Sequence, residues 1–140
     1  MTKTLLIVED DPLSLKLLRD ILAADGHTVL QASRARDALD LLCEHLPDLI
    51  ITDLLLPDMS GLRLTRMIRA DPMLRDIPVL ATSAFSLPED LEDVRDAGCD
   101  GFLAKPVSLA AVRREVGRLL APADVFADVS VRRSDLAAEI

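Results

Sequence analysis

Short, almost uninterrupted aliphatic runs alternate with amphipathic stretches along this chain, and that alternation leaves few folds open. TLLIV (Thr4–Val8), TVLQA (Thr28–Ala32), DLIIT (Asp48–Thr52), PVLAT (Pro78–Thr82) and GFLA (Gly101–Ala104) read as five strands. Their apolar residues mostly run on without polar alternation, the pattern of parallel strands covered on both faces. A helical pattern follows each strand. Asp11 before Pro12 is an N-cap with proline at the first helical position; Leu13, Leu17, Ile21 and Leu22 mark an inward face, and Gly26 ends that helix. The second helix runs from about Arg34, with Ala38, Leu39, Leu42 and Leu46 inward, and stops before Pro47. The third follows Ser60, with Leu64, Met67 and Ile68 inward, and ends near Asp71–Pro72. The fourth follows Ser86, has Pro88 in its first turn and Leu91 and Val94 inward, and ends at Gly98. The fifth follows Ser108, with Leu109, Val112, Val116 and Leu119 inward, and ends before Pro122. Five βα units make a parallel α/β sheet with helices on both faces, and they are too few to close an eight-fold barrel. An open three-layer sandwich is the fold expected.

Composition narrows the function. The 140 residues suffice for one domain with a core, expected over residues 1–120. The only aromatics are Phe85, Phe102 and Phe126, so the core must be aliphatic. A net charge of −8 argues against a duplex-binding module, which needs a basic face to displace counterions. No apolar stretch has the length of a membrane span, and MTKTLLIVEDD meets acid too soon for a signal peptide. Cys43 and Cys99 lack the spacing of a redox or metal motif and read as reduced thiols of a cytoplasmic protein. Residues 121–140 break the βα pattern: Asp124, Asp128, Asp135 and Glu139 outweigh Arg132 and Arg133, and the expectation is a C-terminal tail with no output domain.

The chemistry gathers at the strand ends. In the stretch LIITDLLLP a single aspartate, Asp53, interrupts a Leu/Ile run, and an ionised carboxylate buried without a partner costs several kcal/mol. Ligands of open parallel sheets bind outside the carboxyl ends of the strands. There strand one delivers Glu9-Asp10-Asp11, strand three Asp53, strand four Thr82-Ser83 and strand five Lys105-Pro106. Asp53 is thus the exit residue of a buried strand. Carboxylates about 4 Å apart repel by ~4 kcal/mol at an effective dielectric near 20. A hard divalent cation such as Mg²⁺ relieves that repulsion. Lys105 supplies a charge for a phosphoryl group and a hydroxyl supplies a donor. Carboxylate nucleophile, metal, ammonium and hydroxyl together describe phosphoryl transfer onto aspartate.

Asp10, Asp53, Ser83 and Lys105-Pro106, with DLLLPDMSG (Asp53–Gly61), resemble the receiver domain of bacterial two-component response regulators, over about Lys3 to Leu120. DPMLRDIPVLATSAF and TKTLLIVEDD look most like stand-alone receivers of the DivK type. The resemblance implies a flavodoxin-like (βα)5 fold with strand order 2-1-3-4-5. It implies that Asp53 is the phosphoacceptor, that Asp10, Asp53 and the Leu55 backbone carbonyl hold Mg²⁺ directly, and that Glu9 does so through water. Lys105 would contact the phosphoryl group, Ser83 would be the switch hydroxyl with small Ala84 behind it, and Phe102 the switch aromatic. Lys105-Pro106 would be a cis peptide. Thr82 stands where the family usually has an apolar residue. Leu55 and Phe85 flank the approach of a hydrolytic water and would tune dephosphorylation. The implied role is a cytoplasmic phosphorelay switch rather than an enzyme acting on others. A histidine kinase or phosphotransfer protein would be the donor, and a target would bind the face of helix four, strand five and helix five.

Other readings fit less well. A haloacid dehalogenase phosphatase needs an acid two residues after its nucleophile, and Leu55 stands there. A flavodoxin-like nucleotide binder needs hydroxyls and glycine in its first loop, where Glu9-Asp10-Asp11 would repel phosphate. The alternative within the family is a receiver belonging to a larger hybrid kinase or diguanylate cyclase. Asp11 is expected only to cap a helix and Asp58 only to serve a turn. His27 and His45 lack ligand-type partners, and Arg113, Arg114 and Arg118 read as a solvated face.

Overall fold

The computed structural model describes residues 3–84 and 88–121. Phe85, Ser86 and the expected tail beyond Ala121 lie outside the described residues. The elements alternate without exception: β1 (Thr4–Val8), α1 (Pro12–Ala24), β2 (Thr28–Ala32), α2 (Ala35–Leu42), β3 (Leu49–Asp53), α3 (Gly61–Ala70), β4 (Val79–Ser83), α4 (Pro88–Ala97), β5 (Gly101–Ala104) and α5 (Leu109–Leu120). All strand pairs are parallel and the sheet runs β2-β1-β3-β4-β5. This is the flavodoxin-like (βα)5 sandwich the sequence led us to expect. β3 and β4 each sit one residue later than expected, because Asp53 is still paired with Thr82 in the ladder and Ser83 with Ala104.

The core is aliphatic and lies on both faces of the sheet. Leu5, Ile7, Leu49, Ile51, Leu80 and Leu103 pack beneath α1 and α5 against Leu18, Ile21, Leu22, Val112 and Val116. Leu6, Val8, Ile50 and Val79 pack on the other face against Ala35, Ala38, Leu42, Leu64 and Ile68 of α2 and α3. Each fully buried Leu or Ile contributes about 1.5–3 kcal/mol. Among the described residues no helix is long and apolar enough to cross a membrane.

Several inward positions need correction. Leu13 and Leu17 are 78% and 45% exposed, and Leu18 is buried in place of Leu17, whereas Ile21 and Leu22 face inward as expected. Met67, Leu91 and Leu109 are exposed as well, beside the buried Ile68, Val94 and Val112. α2 ends at Leu42, four residues earlier than expected, with Cys43 as its C-cap, which leaves Leu46 60% exposed in the turn before β3. The small Ala35 and Ala38 bring α2 onto the sheet instead. Gly26 and Gly98 end α1 and α4 as expected, with φ of 91° and 103° that favour glycine.

Candidate functional site

The carboxyl edge of the sheet brings four strand ends together. Beyond β1 the Glu9 N–H still donates to the Ala32 carbonyl at 2.9 Å, which holds Glu9 in line with the strand. Asp53 closes β3, Thr82 and Ser83 close β4, and the Lys105 N–H beyond β5 donates to the Ser83 carbonyl at 2.8 Å. The Lys105-Pro106 peptide is cis. Asp11 caps α1 by accepting the N–H and hydroxyl of Ser14 at 3.0 and 2.8 Å, which fixes the turn carrying Glu9 and Asp10. Those two bonds hold the Asp11 carboxyl below its usual range.

Lys105 Nζ lies 2.9 Å from Asp53 Oδ2 and 2.7 Å from Glu9 Oε1. Asp53 Oδ1 accepts the Leu55 N–H at 3.1 Å, and Glu9 Oε2 accepts the Asp11 N–H at 3.1 Å. Asp53 and Glu9 are buried, at 6% and 1% exposure, whereas Asp10 stands in solvent. Burial pushes the Glu9 carboxyl up, and the charge of Asp53 adds to it while Lys105 pulls the other way. Burial alone would lower Lys105, but its bonds to Glu9 and Asp53 outweigh that and raise it. The ammonium is thus fixed in its charged form between two carboxylates.

Glu9, Asp10 and Asp53 each offer a carboxylate oxygen, and these oxygens lie within 4.8 Å of one another. A single Lys105 cannot balance three carboxylates. Hard oxygen donors at this spacing, one of them reaching solvent, suit a divalent cation. The Leu55 side chain is 60% exposed beside the cluster. Ser83 is buried, with Ala104 as its ladder partner and Ala84 exposed after it. Phe102 is half-buried on β5 opposite Ala81. The structure thus gathers Glu9, Asp10, Asp53, Ser83 and Lys105 at one edge, with Leu55 beside them.

The loop after Asp53 is held from two sides. Gly61 begins α3 with its N–H donating to the Leu54 carbonyl at 2.9 Å, and a Cβ there would overlap the Asp53 carbonyl oxygen and crowd Leu54 Cα. Only glycine lets α3 start so near the exit of β3. Ser60 caps that helix through the Arg63 N–H at 3.0 Å. Asp58, expected to serve a turn, also caps α2 by accepting the Ala35 and Arg36 N–H groups. Sequence reasoning missed this; the signal was Arg34, which stands at the N-cap with no side chain able to accept. Arg113 is not merely solvated, since its guanidinium bonds both Asp25 oxygens at 2.9 and 2.8 Å and ties α5 to the end of α1.

Comparison with known proteins agrees with this geometry. The family model described as the response regulator receiver domain matches residues 5–116. The polar-differentiation response regulator DivK of Brucella ovis is 44% identical over 109 residues, which are 78% of this chain and 89% of that protein. The receiver domain of a signal transduction histidine kinase from Syntrophus aciditrophicus is 36% identical with a TM-score of 0.79, over 85% of this chain and 90% of that one. The receiver domain of a sensor histidine kinase from Pseudomonas aeruginosa, with a magnesium ion coordinated in its active site cleft, is 30% identical with a TM-score of 0.80. That match covers 87% of this chain and all of the other, 100%.

Proposed function

We propose, since this chain belongs to the response regulator receiver domain family, that Asp53 takes a phosphoryl group from a kinase phosphohistidine and that the chain then changes which protein it binds. The single observation that carries this is the buried Asp53 carboxylate paired with Lys105 Nζ at 2.9 Å beside Glu9 and Asp10. One Asp53 oxygen attacks phosphorus, the O–P bond forms as the N–P bond breaks, and the electron pair returns to the imidazole. Lys105 neutralises charge gathering on the phosphoryl oxygens. Mg²⁺ would be held by Asp10, Asp53 and the Leu55 carbonyl, with Glu9 reaching it through water, and supplies charge neutralisation for the incoming group. The magnesium in the Pseudomonas aeruginosa relative supports that assignment. As a member of this family the chain carries out phosphoryl chemistry on its own carboxylate rather than turning over an external substrate.

Ser83 is the switch hydroxyl and Phe102 the aromatic that follows it. Phosphorylation adds about −1.5 to −2 charges beside Ser83. Movement of Ser83 toward them frees space that Phe102 fills, which repacks the face of α4, β5 and α5 where a target docks. The site works in the cytoplasm, where histidine kinases or phosphotransfer proteins supply phosphate. Incubation with a panel of phosphorylated histidine kinases tests this: label passes to this chain with Mg²⁺ and not with a chelator. Failure of every kinase to transfer label overturns it.

A second reading is favoured by one observation: both solved relatives named above are receiver domains of histidine kinases. This chain would then be the receiver portion of a longer protein. The mass of the native protein, detected by antibody in its source cells, separates the two.

A further inference from the structure

β4 ends in two hydroxyls, and Thr82 is the one without a task. Alternation along the strands settles which face it is on. Leu5 and Ile7, Leu49 and Ile51, Leu80, and Leu103 lie in the core beneath α1 and α5. The two-residue period carries that face on to Glu9, Asp53, Thr82 and Lys105, at the ends of four neighbouring strands. Thr82 is the ladder partner of Asp53, while Ser83 falls on the opposite face.

The Thr82 side chain is 1% exposed and its Oγ1 has no hydrogen-bond partner. Thr82 lines a cavity of about 160 Å³ between α1 and the segment 105–107 that follows β5, whose wall also includes Glu9 and Lys105. Glu9 Oε1 is buried as well and is paired at rest with Lys105 Nζ at 2.7 Å. A valine would fill the place of Thr82 with no orphaned group, so the hydroxyl is a liability for the resting fold. It suits a donor that is used only when the neighbouring charges move.

We propose that Thr82 is a positioning residue for phosphoryl transfer: its hydroxyl donates to Glu9 Oε1, directly or through a water in the shared cavity, as Lys105 shifts from Glu9 toward the phosphoryl group on Asp53. This rests on the reading of Asp53 as phosphoacceptor. At rest one ammonium serves two carboxylates. The phosphoryl group draws that ammonium away and leaves Glu9 Oε1 without the direct partner it has at rest. A neutral donor on the same face restores a partner to Glu9 and keeps its carboxylate in place. The interaction is made in the transition state and not at rest, so it acts on the rate of transfer rather than on donor binding.

Thr82→Val keeps the shape and removes the donor, whereas Thr82→Ser keeps the donor and removes a methyl group. Parent, both variants and Asp53→Asn are loaded with phosphoramidate and Mg²⁺, phosphate incorporation is followed with time, and Tm is measured for each. Thr82→Val should incorporate phosphate about tenfold more slowly, at a Tm equal to or above that of the parent. Thr82→Ser should have a lower Tm yet a rate within about twofold of the parent. A packing role cannot make the less stable variant the faster one. Incorporation by Thr82→Val at the parental rate, or an equal loss in Thr82→Ser, overturns the proposal while leaving the phosphoacceptor reading intact. A parent that takes up no phosphate, or an Asp53→Asn variant that takes up as much as the parent, overturns both.

Discussion

Asp58 closes the end of a helix it does not belong to, accepting the Ala35 N–H on one carboxylate oxygen and the Arg36 N–H on the other, each at 2.9 Å. Arg34, at the N-cap of α2, pairs instead with Asp37 through its guanidinium, at 3.1 and 3.0 Å. The loop that leaves Asp53 is thereby pinned to α2 on one side and to the start of α3 on the other.

Asp58→Ala should lower Tm at neutral pH by exposing unsatisfied N–H groups at the start of α2, without preventing phosphorylation of Asp53. The Arg36 N–H, with that of Ala35, holds the Asp58 carboxyl below its ordinary value of 3.8. A depressed folded value means the stabilisation is complete above the ordinary value and is lost as pH falls through the folded one. The Tm gap between parent and variant should therefore narrow when thermal unfolding is repeated at about pH 3. A gap that stays constant would show that Asp58 acts by something other than its charge.

Replacement of Leu55 by asparagine should shorten the lifetime of the phosphorylated state several-fold. Hydrolysis needs a water in line with the Asp53–phosphorus bond, and a polar side chain can hold one where leucine excludes it. Leu55 is largely exposed, so the substitution should leave Tm nearly unchanged. Loss of label from purified phosphoprotein measures the effect; identical decay in parent and variant would remove Leu55 as a determinant.

Phe102→Ala should uncouple partner affinity from phosphorylation without blocking phosphorylation. The half-buried ring lies next to Leu103 on β5, opposite Ala81. A switch can favour a partner only by the difference in affinity between its two states, typically about 1–3 kcal/mol. Binding of the target is measured with and without beryllofluoride. A variant that keeps the whole phosphorylation-dependent gain would exclude Phe102 as the switch.

Much of this was legible in the sequence, for reasons that particular residues make plain. Continuous aliphatic runs located β1, β2 and β5 at their observed bounds, and Asp11, Ser60 and Ser108 announced three helices through side chains that accept N–H groups locally. Asp53 and Lys105 were found because strand ends of a parallel sheet converge, although the two are 52 residues apart in the chain. Helix faces were less legible. Leu17 and Leu18 are chemically alike, and only packing against the sheet and α5 selects Leu18. The reach of Asp58 to α2 spans 23 residues and depends on how two loops meet, which no local pattern encodes. The orphaned Thr82 hydroxyl emerges only once the strands are in register beside Glu9 and Lys105.

The central claim is that Asp53 carries the phosphoryl group, and Asp53→Asn tests it most directly. The amide occupies the same space but lacks the nucleophilic carboxylate, so the variant should fold as the parent does. Both proteins are incubated with Mg²⁺ and a phosphorylated histidine kinase or phosphoramidate, and incorporated phosphate is quantified by intact mass. The account predicts one phosphoryl group on the parent and none on Asp53→Asn; phosphate incorporated undiminished by the variant would contradict it.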